Sequence, residues 1–118
     1  FIAGGAGVTP FISIFRHLAS ENKIGNNTLL FANTTVNDII LKDEFTKLLG
    51  TNFINILSED NVEGYANGRI TKDFIAENND GIDKLFYLCG PPPMIEALEK
   101  QLKELQVDEK SIIKEELN

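Results

Sequence analysis

Two short loops of this 118-residue chain combine glycine, proline and cysteine in patterns suited to holding a ligand. The first is GGAGVTP at residues 4–10, and the second is CGPPPM at residues 89–94. Glycine lacks a Cβ atom and reaches positive φ easily, so a ligand can approach its backbone closely. Where a helix follows such a loop, its free N–H groups and its dipole stabilise an anion such as phosphate. The first loop therefore predicts a phosphate site, with a tight strand-to-helix turn without a ligand as the alternative.

Two residues of the first loop suit the start of a helix. Pro10 fits the first helical turn, where its missing N–H costs nothing, and Thr9 can cap the helix or offer its hydroxyl to the anion. The loop departs from the dinucleotide fingerprint G-x-G-x-x-G, because Gly5 and Gly7 match but Pro10 replaces the third glycine. No Gly-Lys-Ser/Thr sequence follows, which excludes a Walker-type phosphate loop.

The second loop ends an apolar run and is stiffened by proline. Gly90 permits a sharp turn, and the three prolines at 91–93 restrict the backbone and suit the start of another helix. Cys89 comes at the end of the apolar run, the place where parallel strands present their chemistry. A free cysteine is more often a small buried hydrophobe, and that is the alternative for Cys89.

Apolar runs alternate with helical patterns along the whole chain. Strands are predicted at residues 1–3, 28–32, 53–57, 84–89 and 111–114. Apolar stripes with helical spacing lie between them, such as Phe11, Ile14, Phe15 and Leu18, and the longer Met94, Ala97, Leu98, Leu102 and Leu105. This alternation implies right-handed crossovers and a parallel sheet covered on both faces. We therefore predict one α/β domain over residues 1–118, a three-layer doubly wound five-stranded parallel sheet with strand order 3-2-1-4-5. In such sheets ligands bind beyond the carboxyl ends of the strands, where both loops fall.

Charge and cysteine content narrow the classes of partner. The formal net charge is -7, which disfavours nucleic acid and acidic lipid surfaces, because no basic patch offsets it. No apolar run approaches the ~20 residues of a membrane-spanning helix. The single Cys89 excludes an internal disulfide and a multi-cysteine metal site. These features predict a cytoplasmic protein without a nucleic-acid partner, a membrane span or a metal.

Five motifs, taken in order, resemble the nicotinamide-nucleotide-binding domain of the ferredoxin–NADP reductase superfamily, which includes flavodoxin reductases and cytochrome b5 reductases. They are GGAGVTPF at 4–11, ANTTVNDIILKDEF at 32–45, GRI at 68–70, CGPPPM at 89–94 and IIKEEL at 112–117. The resemblance covers essentially the whole chain. It implies an upstream FAD-binding β-barrel domain attached just before Phe1, and hydride transfer between the nicotinamide C4 and the flavin N5. It also implies that the flavin passes single electrons to a carrier protein or to a fused centre such as an iron–sulfur domain.

The same resemblance implies which residues serve the nicotinamide cofactor. Cys89 would lie beside the nicotinamide ring, and Glu115 would join the surrounding active-site network. The implied cofactor-binding residues are Gly5, Ala6, Gly7, Val8, Thr9, Asn33, Ser58, Glu59, Gly90, Pro91 and Met94. The protein supplies geometry to such chemistry, and it needs no general base, because hydride transfer leaves no proton to remove. Leu117 stands where many members of the superfamily place an aromatic residue that stacks on the flavin.

Residues 57–60, LSED, bear on the choice between NADH and NADPH. Superfamily members that prefer NADPH place a serine and then an arginine here for the 2′-phosphate, whereas this chain has Ser58 followed by Glu59. A carboxylate repels phosphate and accepts hydrogen bonds from ribose hydroxyls. We therefore expect NADH to be favoured over NADPH, with a solvated loop as the alternative for Glu59 and Asp60.

Two other functions fit part of the pattern. A regulatory domain that senses a nucleotide without hydride transfer would use the same loops, but no flavin domain would precede it in the gene. A phosphoacceptor receiver domain shares the five-stranded parallel fold but needs acidic residues after the first strand, where this chain has glycine. On the reductase interpretation, the isolated chain binds nucleotide weakly and catalyses nothing, because the hydride acceptor belongs to the flavin domain.

Overall fold

The structure is a computed structural model, and it describes residues 1–116. Leu117, expected at the aromatic position of the superfamily, lies outside the described residues, as does Asn118. The strands are β1 (Ile2–Gly4), β2 (Leu29–Asn33), β3 (Phe53–Leu57), β4 (Ala66–Asn67), β5 (Phe86–Gly90) and β6 (Ile112–Glu116). The helices are α1 (Thr9–Ser20), α2 (Lys42–Leu49), α3 (Lys72–Glu77) and α4 (Pro92–Glu104).

The strands form one parallel sheet with the order β4-β3-β2-β1-β5-β6. β1 lies between β2 and β5, with Ala3 opposite both Phe31 and Cys89. The central strands are buried almost throughout, because helices cover both of their faces. The predicted α/β class and parallel sheet are therefore confirmed.

The predicted number of five strands is wrong, because a sixth strand pairs outside β3. This strand, β4, is only two residues long and follows the polar segment after β3. Two residues carry no periodic pattern, so the sequence gives no strand signal there. The predicted order holds for the other five strands, and β4 extends the sheet beyond β3.

Two apolar clusters fill the space on the two faces of the sheet. Phe15 of α1 and Phe45 of α2 pack on one face with Phe31 of β2. The other face is covered by α3 and α4, whose inward residues include Ile75, Ile95, Leu98 and Leu102. The predicted stripe of the last helix needs one correction: Ile95 is buried, whereas Ala97 is exposed.

The amino ends of the strands carry features unrelated to the two loops. The α-amino group of Phe1 donates to the Thr28 carbonyl oxygen at 2.8 Å, and the Phe1 ring stacks on Tyr87 with 4.9 Å between centroids. A cavity of about 610 Å³ opens at this end, lined in part by Phe1, Thr28 and Phe86. Within residues 1–116, no helix combines the length and the apolar character that crossing a bilayer requires.

Candidate functional site

The two glycine-containing loops meet at the carboxyl edge of the sheet. β1 continues into a 3₁₀ turn at Gly5–Val8, and this turn contacts both β2 and β5. The approach is closest at Gly7, where an added Cβ atom would overlap the carbonyl oxygen of Cys89 and lie 2.8 Å from the Cα of Gly90. Backbone therefore packs on backbone here, and only glycine at position 7 allows it.

Gly5 serves the same turn for a different reason. Its φ is 53°, a left-handed conformation that costs other residues free energy, and an added Cβ atom would meet nothing within 4 Å. The open space above Gly5 leaves its backbone accessible from the rim of the sheet. Of the neighbouring loop residues, Ala6 and Thr9 are exposed, whereas Val8 is fully buried in the core.

Met94 fills the corner between β1 and the second loop. A Cβ atom added at Gly4 would overlap the Met94 sulfur atom, and a Cβ atom added at Gly90 would lie 3.1 Å from the same sulfur. The Pro91 carbonyl oxygen accepts from Met94 N at 3.0 Å, which fixes the first turn of α4 against this corner. The predicted residues Gly90, Pro91 and Met94 thus form one wall of the rim.

Cys89 has a fully buried side chain in the cluster beneath α1. Burial, and then the negative charge of Glu115, raise the pKa of this thiol above its ordinary value. Glu115 lies opposite Cys89 on the neighbouring strand β6, with its side chain exposed. The thiol is therefore neutral near pH 7 and is not an activated nucleophile. This arrangement agrees with the small buried hydrophobe considered above, while a contact between Cys89 and nicotinamide remains a prediction.

Asn33 ends β2 beside the first loop, and its side chain is buried. The residue is only 8% exposed, and neither amide atom of the side chain has a hydrogen-bond partner among the described residues. By strand alternation its side chain lies on the same face as Leu29 and Phe31. A buried amide without partners costs free energy, so this position is suited to a ligand or water that supplies them.

The segment from Ser58 to Asp60 leaves β3 at the same edge and is tied to the loop after β2. Ser58 N donates to the Asn33 carbonyl oxygen at 3.0 Å, and Glu59 N donates to the Thr34 carbonyl oxygen at 2.9 Å. Both Ser58 and Glu59 expose their side chains. The Asp60 carboxylate instead accepts from Val36 N at 2.8 Å and so ties this loop to the loop after β2.

Sequence reasoning missed Asn67, which holds the other side of this segment. Its amide nitrogen donates to the Leu57 carbonyl oxygen at 3.1 Å and to the Asp60 carbonyl oxygen at 2.7 Å. The Asn-Gly pair at 67–68 marks a turn, but nothing in the sequence shows where the Asn67 side chain reaches. Thr35 and Asp38 form a capping box in the loop after β2. The T-x-x-D pattern that makes this box lies within four consecutive residues, so it could have been predicted from the sequence.

A lysine contacts an aromatic ring on the loop between β3 and β4. The Lys42 ammonium lies 5.4 Å from the centre of the Tyr65 ring, and Tyr65 raises the pKa of Lys42. Within residues 1–116, no group of three or more His, Cys, Asp or Glu could hold a metal ion. The chemistry of the rim is therefore that of glycine backbone, amides and carboxylates.

A doubly wound parallel sheet with a glycine turn at its carboxyl edge defines the class of dinucleotide-binding α/β domains. Residues 1–100 match the family described as "Oxidoreductase NAD-binding domain", and the chain belongs to this family. It is 35% identical over 114 residues to "NADH-cytochrome b5 reductase 2" of Rattus norvegicus, covering 88% of this chain and 41% of that protein. The chain thus spans about two fifths of the length of this relative.

Solved structures with the same fold come from chains about twice as long as this one. The FAD/NAD-binding domain of a nitric oxide dioxygenase from Vibrio cholerae superposes with a TM-score of 0.88 at 28% identity, covering 98% of this chain and 49% of that one. The cytochrome b5 reductase domain of Ulva prolifera nitrate reductase gives a TM-score of 0.86 at 26% identity, covering 97% and 48%. The resemblance to the ferredoxin–NADP reductase superfamily is therefore confirmed.

Proposed function

We propose that residues 1–118 are the nicotinamide-nucleotide-binding module of an FAD-dependent oxidoreductase. The observation that carries this proposal is the contact of the Gly5–Val8 turn with the Cys89–Gly90 backbone at the carboxyl rim. A relative named as an NADH reductase and a neighbour named as an FAD/NAD-binding domain support it. The FAD domain, upstream in the same protein, is part of the proposal.

The residues at the rim fit a dinucleotide on two structural grounds. The open space above Gly5 exposes backbone where a pyrophosphate would lie, at the start of α1, whose first turn has no side-chain cap. The unpartnered amide of Asn33 lies next to this turn and would gain hydrogen bonds from a polar ligand. The accessible residues of the first loop, Gly5, Ala6 and Thr9, would hold the pyrophosphate. Gly7 and Val8, which were expected to contact it as well, are buried and would support the turn from beneath. Residues of the second loop would border the nicotinamide: Cys89, Gly90, Pro91 and Met94.

The nicotinamide ring, when bound, supplies the hydride that FAD accepts. The chain contributes orientation, because its two loops are packed backbone on backbone and hold their relative position. Cys89 contributes as a buried, neutral side chain that shapes the strand end, and Glu115 contributes a negative charge beside it. No residue of the chain acts as a base, because no proton leaves the nicotinamide.

NADH is the proposed cofactor, in preference to NADPH. The exposed Glu59 carboxylate lies on the segment tied to the end of β2, so it would face the ribose hydroxyls and repel a 2′-phosphate. Electrons would pass from FAD to a carrier protein or a fused redox centre such as an iron–sulfur domain. A cytoplasmic location belongs to the same proposal and is supported by the free thiol of Cys89.

Anaerobic mixing of the full-length protein with NADH tests the proposal. We expect the flavin absorbance to bleach, and to bleach more slowly with NADH deuterated at C4, because the hydride is transferred in that step. A protein that binds NADH but leaves its flavin oxidised would contradict the proposal. That outcome would favour the alternative, a domain that senses the nucleotide without hydride transfer.

A further inference from the structure

The segment between Ser58 and Asp60 is held from two sides, and Glu59 lies at its centre. On one side, the backbone of β2 and its following loop accepts from Ser58 N and Glu59 N, at 3.0 and 2.9 Å. The carboxylate of Asp60 adds a third link on that side, through Val36 N. All three links lie on the side of the segment that faces β2.

The other side is held by one side chain. Asn67 lies in β4, opposite Leu57, and its amide nitrogen reaches the carbonyl oxygens of Leu57 and Asp60. It thereby joins the last residue of β3 to the residue that follows Glu59. Gly68 N also donates to Leu57, at 2.9 Å, but this bond reaches the strand and not the segment beyond it.

We propose that Asn67 is a positioning residue for the choice of nucleotide, acting through Glu59. The inference rests on the proposed function, because it assumes that Glu59 faces the ribose of a bound dinucleotide. Asn67 fixes the separation between the two ends of the segment and so fixes the direction in which Glu59 leaves the backbone. Hydrogen bonds to ribose hydroxyls and repulsion of a 2′-phosphate both depend on that direction.

The test uses the full-length flavoprotein and compares Asn67→Ala with Asn61→Ala. Asn61 is an exposed asparagine in the same loop, and its side chain makes no hydrogen bond to any of residues 1–116, so it controls for the loss of an amide. For Asn67→Ala we expect KM for NADH to rise and the ratio of kcat/KM for NADH over NADPH to fall by about tenfold. The same variant should keep a kcat at saturating NADH and an FAD content near the wild-type values. In Asn61→Ala, the ratio of kcat/KM for NADH over NADPH should stay near the wild-type value.

Two further variants separate positioning from a general loss of structure. Asn67→Leu keeps the approximate size of the side chain, adds no charge and cannot donate to either carbonyl, so it should reproduce the effect of Asn67→Ala even if the latter folds poorly. In a Glu59→Gln background, Asn67→Ala should no longer change the NADH:NADPH ratio, because the group on which it acts is neutral.

The outcomes distinguish this inference from the proposed function. A wild-type protein that prefers NADH, with a ratio unchanged in both Asn67 variants, overturns the inference alone. An equal change of ratio with and without Glu59 also overturns it, because Asn67 would then act by another route. A wild-type protein whose flavin is reduced by neither nucleotide overturns the proposed function, and the inference with it.

Discussion

Replacing Gly7 by alanine should cost far more stability than replacing Gly5, although both lie in the same turn. At Gly7 the new Cβ atom would lie 2.7 Å from the Cys89 carbonyl carbon and 2.8 Å from Gly90 Cα, where ordinary contacts begin at 3.4 Å. The two loops must therefore separate by at least roughly 0.7 Å. Because the obstacle is backbone of β5, no side-chain rotation relieves it, and we expect a loss of about 3 kcal/mol. At Gly5 the space is open and only the positive φ is strained, so alanine should cost about 1 kcal/mol.

Urea unfolding of the purified chain, followed by circular dichroism, measures both losses. At an m-value of about 1.5 kcal/mol/M, Gly7→Ala should lower the midpoint by about 2 M, and Gly5→Ala by well under 1 M. Equal midpoints for the two variants would refute the claim that loop packing, and not turn geometry, fixes glycine at position 7. A Gly7→Ala protein as stable as wild type would do the same.

Two further outcomes follow from the charges and burial described above. In the full-length protein, Glu59→Arg should shift the kcat/KM ratio toward NADPH by about tenfold or more, and a ratio that stays constant would contradict the role of Glu59. Burial, and then the charge of Glu115, raise the pKa of the Cys89 thiol, so a disulfide reagent at pH 8 should label it only after the chain is unfolded in urea. Rapid labelling of the native chain would contradict the burial of Cys89.

Local pattern was enough to predict most elements and the meeting of the two loops. Apolar runs gave the five longer strands, and βα alternation required their carboxyl ends to share an edge, which is where residues 4–9 and 89–91 meet. Pro10 lies in the first turn of α1, as its type and position suggested.

Features that depend on distant contacts were beyond the reach of the sequence. The glycine at position 7 suggested close approach of a ligand, but its nearest neighbour is the carbonyl of Cys89, more than eighty residues along the chain. The strand at Ala66–Asn67 exists through pairing with Ile56 and Leu57, and not through any pattern of its own. The unpartnered amide of Asn33 became visible only with its surroundings.

The central place of β1 has a consequence for synthesis of the protein on the ribosome. β1 emerges before the rest of this domain, yet one of its two neighbours, β5, is translated more than eighty residues later. Until β5 leaves the exit tunnel, one edge of β1 and the apolar surface meant for α4 stay uncovered. The nascent chain therefore passes through a long interval in which chaperone binding or edge-to-edge association competes with completion of the sheet.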